Sequence, residues 1–178
     1  MRAGIDHSHN PEFSTCEFYM AYGRFDQLLT MTTAIVTRIA QAAVAAGFPY
    51  AGPLGLTKGD FAVVSYVDVL NQHVDSTTMA LLRTDPEAAV PGLERACAAL
   101  NIHPKAAKTA AALVDKLGSA LVEEKIQGPT FVTEHPLVLS PLAMEHPTKV
   151  GLAYSQLVTA ISCLSLRVQA GIACHCLP

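Results

Sequence analysis

Proline and glycine break this chain into short elements, and that punctuation limits what it can fold into more than any other feature. Asn10-Pro11, Gly47, the connector Phe48–Asp60, Asp85-Pro86, Pro104, Gly128-Pro129, His135-Pro136 and Ser140-Pro141 each mark a turn or the end of an element. Proline lacks the backbone donor that helices and sheets need, and glycine lacks conformational restraint. Between these marks, Phe25–Ala46 carries Leu28, Leu29, Ile35, Ile39 and Ala43 at helical spacing and predicts a helix closed by Gly47. Asp85-Pro86 predicts the start of a helix running to about Leu100. Pro104 opens another over Lys105–Lys125, with Leu113, Leu117 and Leu121 on one face. Phe13–Tyr22 is aromatic and predicts a strand, Thr130–Thr133 a shorter one, and Phe61–Leu70 a strand running into a short helix.

Composition narrows the function classes. The 178 residues suit one domain, and a formal charge of −3 leaves no basic face with which to grip nucleic acid unaided. Charged residues are only 15% and hydrophobic ones 51%, which excludes a disordered chain. The same balance fits a core segment of a larger protein, its surface under-supplied with charge. Five cysteines without regular spacing are not a disulfide framework, and the N-terminus has no apolar signal segment, so the expected compartment is the cytoplasm. From Lys149 onward the chain carries one charge, Arg167, and helical-looking apolar spacing. Tyr154, Ser155, Gln156 and Thr159 interrupt it as a membrane span, so it predicts a buried or sticky helix and no membrane association.

Two motifs carry little chemistry. Gly52-Pro53-Leu54-Gly55-Leu56-Thr57-Lys58 misses the phosphate-loop pattern and reads as a turn. Cys174-His175-Cys176 lacks a second ligand cluster, so no metal site is expected. The front of the chain is richer. Phe13, Thr15, Glu17, Tyr19 and Ala21 share one face of the predicted strand. A carboxylate beside a phenol suits an alkylammonium, with charge pairing charge and the hydroxyl adding direction, and Phe13 on that face offers a ring for a flat base. The plainer reading is a half-buried strand with a solvated glutamate.

The stretch GIDHSHNPEFSTCEFYMAY resembles motif 2 of class II lysyl-tRNA synthetases, and Gly128–Ala143, GPTFVTEHPLVLSPLA, resembles a second block of that family. Between them Leu113-Val114-Asp115-Lys116-Leu117 resembles the family's L-L-D-K-L at the matching distance. Aspartyl- and asparaginyl-type synthetases lack the E-F-Y-M-A-Y continuation, and the enzyme that lysylates an elongation factor lacks H-P-x-x-x-S-P-L-A. The resemblance implies an α+β fold, part of the class II antiparallel sheet with flanking helices. It implies lysine–tRNA ligation, with lysine and ATP joined as lysyl-adenylate and lysine then passed to tRNA(Lys). His9 and Asn10 correspond to the loop that contacts ATP, Phe13 to the ring stacked on adenine, and Glu17 and Tyr19 to the residues that hold lysine.

The resemblance also carries departures. The family's motif 2 arginine aligns with Met1, one position from Arg2, and another family arginine aligns with Ala112. After Ala143 only His146 and Gly151-Leu152 fit, and Ala153–Pro178 leaves the pattern. Motif 1, motif 3, the anticodon-binding domain and the acidic ligands for magnesium, expected for the family, have no counterpart. No catalytic residue is assigned, because cations at the transferring phosphorus provide much of the stabilisation in such chemistry. The sequence therefore reads as a catalytic-core fragment beginning within motif 2, with residues 1–148 as partial catalytic domain and 149–178 as a divergent apolar tail. Alone it is expected to be inactive. The alternative is a pseudo-synthetase acting as an interaction module that associates with a full-length synthetase, and a mitochondrial parent is the alternative to a cytoplasmic one.

Overall fold

The computed structural model describes residues 20–48, 55–103, 109–159 and 167–171. The first long element is α1, Phe25–Ala45, as its apolar spacing predicts. Gln27 Oε1 accepts the Arg24 backbone N–H at 2.9 Å, and Asp26 places negative charge in the first turn. At the other end Gly47 takes φ 88° while Gly47 N–H bonds Val44 O and Phe48 N–H bonds Ala43 O. This is the paired closure that a left-handed residue after a helix permits. Among the described helices α1 is the one long and apolar enough to cross a membrane by length and composition. Its side bearing Asp26, Thr30, Arg38 and Gln41 makes it amphipathic rather than apolar all round.

After a single 3-10 turn at Leu56–Lys58, strand β1 (Ala62–Ser65) runs into α2 (Tyr66–Leu70), as anticipated. Ser65 Oγ accepts Asp68 N–H at 3.1 Å and caps α2. Helix α3 (Ser76–Thr84) was not foreseen; Asp75 caps it through Thr78 N–H at 2.9 Å and binds the Thr78 hydroxyl at 2.7 Å. Helix α4 covers Val90–Ala99 and starts later than Asp85-Pro86 suggests. Pro91 has no N–H to give Glu87 O, so residues 86–89 close into tight turns instead of a continuous helix. Helix α5, Ala110–Leu121, is shorter than the expected Lys105–Lys125. Thr109 Oγ1 caps it at 3.3 Å from Ala112 N, and Glu123–Lys125 tightens into a 3-10 turn.

Strand β2 is Thr130–Thr133, as expected, and β3 (Ser155–Thr159) and β4 (Arg167–Gly171) complete a sheet in the order β1-β2-β3-β4. The fold is α+β. The sheet is mixed rather than wholly antiparallel: β1 pairs β2 in parallel, whereas β2–β3 and β3–β4 are antiparallel. A parallel pair needs a long crossover, and α2–α5 supply it. The helix expected after Lys149 is replaced over 155–159 and 167–171 by strands. A short apolar run does not by itself distinguish a buried helix from a strand, and the free edge of β2 decides the matter here.

The core forms where α2, α4 and α5 meet β2. Leu70, Leu93, Leu113, Val114 and Leu117 are fully buried, joined by Val132 from the sheet. Gly118 allows the closest approach: a Cβ there would lie 1.8 Å from the Tyr66 hydroxyl, which donates to Val114 O at 2.7 Å. A smaller cluster, Val36, Ala40 and Leu56 with Phe61, seats α1. Leu117→Ala is expected to cost about 2–5 kcal/mol in chemical denaturation. Ile39→Ala, on an exposed part of α1, should stay within about 0.5 kcal/mol.

Candidate functional site

The second matched block folds as one piece. Its Thr-Phe-Val-Thr run becomes β2, and the chain turns sharply at Glu134, which takes φ 58°. A left-handed glutamate is uncommon and persists only where its surroundings hold it. Here the carboxylate is gripped on both oxygens. Ser65 Oγ donates to Oε2 at 2.8 Å, and the Lys149 ammonium donates to Oε1. Burial works against the charged form of Glu134, but the hydrogen bonds from Lys149 and Ser65 outweigh it and hold the carboxyl below its usual range. One side chain thus joins the end of β1, the end of β2 and the turn before Gly151.

His135 follows, buried at 9% exposure, with its ring 5.0 Å from the Tyr66 ring at 38°. Burial pushes its imidazole down to about 4, so it is neutral at pH 7. Beyond it the chain folds back on itself. Ala153 N–H bonds His135 O at 2.8 Å, Leu137 N–H bonds Gly151 O at 2.9 Å, and Gly151 N–H bonds Glu145 Oε1 at 2.6 Å. Gly151 has φ 75°, and a Cβ there would lie 2.6–2.9 Å from the Arg83 Cβ, Cα and O, so only glycine fits.

The residues singled out in the sequence, His9, Asn10, Phe13, Glu17 and Tyr19, lie outside the described residues, as does Cys174-His175-Cys176. The strand expected over Phe13–Tyr22 is described only at its end. There Ala21 and Tyr22 form a turn, with Gly23 N–H 3.4 Å from Met20 O and Tyr22 at φ 57°. Among the described residues no three His, Cys, Asp or Glu side chains gather into a metal-binding group. Sequence reasoning missed Ser65, Tyr66, Glu134, His135 and Lys149 as a connected group. Glu134-His135-Pro136 inside the second block was the available signal, whereas Ser65 and Lys149 join it only through folding.

Residues 2–165 match the family described as tRNA synthetases class II (D, K and N). The chain belongs to that family. It is 31% identical over 159 residues to a protein of Encephalitozoon cuniculi named "Probable lysine--tRNA ligase, cytoplasmic", covering 84% of this chain and 31% of that protein. It is 27% identical over 150 residues to a lysine–tRNA ligase of Helicobacter pylori, covering 84% and 29%. It is 31% identical over 147 residues to one of Deinococcus radiodurans, covering 82% and 27%. The chain therefore spans less than a third of the length of these relatives. For this synthetase-family chain, the buried His135 sets an acid limit. Its depressed folded value means that the unfolded state takes up protons first, so stability present above pH 6.5 is lost as pH falls towards 4. The loss should reach about 3 kcal/mol in urea titrations across that window, and His135→Leu should flatten the slope.

Proposed function

We propose that this chain is part of a lysine–tRNA ligase, the enzyme that forms lysyl-adenylate from lysine and ATP and passes lysine to tRNA(Lys). The family covers three amino-acid branches, and the observation that favours lysine is that the three relatives described above are lysine–tRNA ligases. The residues agree chemically. Glu17 pairs with the ε-ammonium, and the Tyr19 hydroxyl adds a directional bond, so the amino tail is recognised by charge and geometry together. Phe13 stacks on adenine, while His9 and Asn10 belong to the loop that contacts ATP. With both substrates held, the lysine carboxylate attacks the α-phosphorus and pyrophosphate leaves, a step that depends on positioning together with cations at the phosphorus.

Strands β2–β4 are read as a section of the class II antiparallel sheet, with β1 as its parallel neighbour. Residues 1–148 belong to the catalytic domain, and 149–178 form a tail divergent in sequence that nevertheless continues the sheet through β3 and β4. ATP as substrate and magnesium as metal are what the family implies. Association with a full-length synthetase and residence in the cytoplasm, a word the Encephalitozoon cuniculi relative carries in its name, complete the reading.

Calorimetric titration of the chain with L-lysine, L-aspartate and L-asparagine separates the three branches. Lysine is expected to bind and the other two to give no heat of binding. Glu17→Ala should weaken lysine by about a hundredfold, since an ammonium then loses its charged partner. Binding of aspartate or asparagine in place of lysine overturns the proposal.

A further inference from the structure

We infer that the groove between α1 and Gly59 is a binding site for a phosphate monoester of a small hydroxylated molecule, with Arg38 holding the phosphoryl group. The site stands apart from the lysine reading, because it uses neither the N-terminal motif nor the second matched block. On α1, Thr30, Thr33, Thr37 and Gln41 recur at three- and four-residue spacing and so share one face. The end of the connector crosses that face. Gln41 Nε2 donates to Thr57 O at 3.0 Å, and Gly59, at φ 72°, lies so close that a Cβ on it would be 3.4 Å from Thr37 Oγ1. The groove left between helix and connector has a volume of about 570 Å³, within the range of small-ligand clefts. Leu29, Ala34 and Gly59 give it apolar surface, and the exposed Arg38 gives it charge.

The chemistry of the lining selects an anion. No acid lines the groove; its polar side chains are hydroxyls, one carboxamide and one guanidinium. Arg38 has no carboxylate partner among the described residues, whereas Arg24 and Arg95 each have one. A planar guanidinium presents paired donors, which a phosphoryl group accepts on two oxygens at once. Thr37 supplies an independent sign. Its Oγ1 is buried yet has no hydrogen-bond partner among the described residues. An unpaired buried hydroxyl costs free energy until a partner arrives. Threonine in a helix has two χ1 wells open to it, so rotation brings this hydroxyl from beneath Gly59 into the groove. Thr30 Oγ1, by contrast, already donates to Asp26 O at 3.0 Å. The groove is larger than a bare phosphate needs. With the phosphoryl group at Arg38 and Thr37, the side chains of Thr33 and Gln41, one turn to either side, remain for the hydroxyls of the esterified part.

Calorimetric and amide-shift titrations of the full chain with glycerol phosphate, inorganic phosphate and glycerol test this. Glycerol phosphate is expected to bind at millimolar concentration or below and to shift amides over 30–41 and 57–59. Inorganic phosphate should bind about tenfold more weakly, and glycerol not at all. Arg38→Gln should weaken glycerol phosphate about a hundredfold with thermal unfolding and the lysine titration as in the parent, which supports the site. Thr37→Val keeps the side-chain shape; it should weaken the ester about fivefold and raise resistance to urea, because the orphaned hydroxyl is gone. A parent that does not bind glycerol phosphate overturns the site, as does equal binding by Arg38→Gln or equal binding of glycerol. Inorganic phosphate binding as tightly as the ester overturns the assignment to a monoester.

Discussion

Strand β2 is the element on which the other parts are built. It is hydrogen-bonded on both edges, to β1 in parallel and to β3 in antiparallel register, and all four of its residues are buried. Val132 enters the helical core, while Phe131 on the opposite face lies 5.2 Å from Phe61. A strand so enclosed has no water to satisfy its backbone, so its neighbours must supply the partners. Its threonines follow the same rule: Thr130 Oγ1 donates to Gly128 O at 3.0 Å, and Thr133 Oγ1 lies at 3.5 Å from Val64 O.

The polar chemistry gathers where β1 and β2 end. In a chain with 15% charged residues, a glutamate held on both oxygens and a neutral buried histidine are a considerable share of the ionic detail. The Glu134–Lys149 contact contributes modest energy, because both groups reach solvent. Its consequence is geometric. The left-handed turn at Glu134 redirects the chain so that Ala153 returns to His135, and that return delivers β3 to the open edge of β2. Acid weakens this end first through His135, and the carboxylate of Glu134 follows at lower pH.

Much of this was legible in the residues. The Leu113, Leu117 and Leu121 spacing marked the buried face of α5, Thr130–Thr133 was readable as a strand, and Gly47 marked the end of α1. The α4 boundary was misread because Asp85-Pro86 is a good helix start in isolation, and Pro91 overrides it one turn later. Helix α3 was missed although Asp75 and Thr78 form a recognisable cap. The residues proposed to hold the ligands, His9, Asn10, Phe13, Glu17 and Tyr19, were legible as a motif, and they lie outside the described residues.

The order of elements, the apolar faces and the family are properties of the linear chain, since periodicity, punctuation and two matched blocks are local patterns. Tertiary structure alone decided that residues 155–159 and 167–171 become strands rather than a helix, because an apolar run takes whichever form satisfies its backbone, and β2 offered an edge. It alone brought Ser65, Glu134 and Lys149 together, and laid Gly59 against Thr37. Contacts between residues far apart in sequence depend on how the chain returns, and that route is set by packing that no local pattern contains.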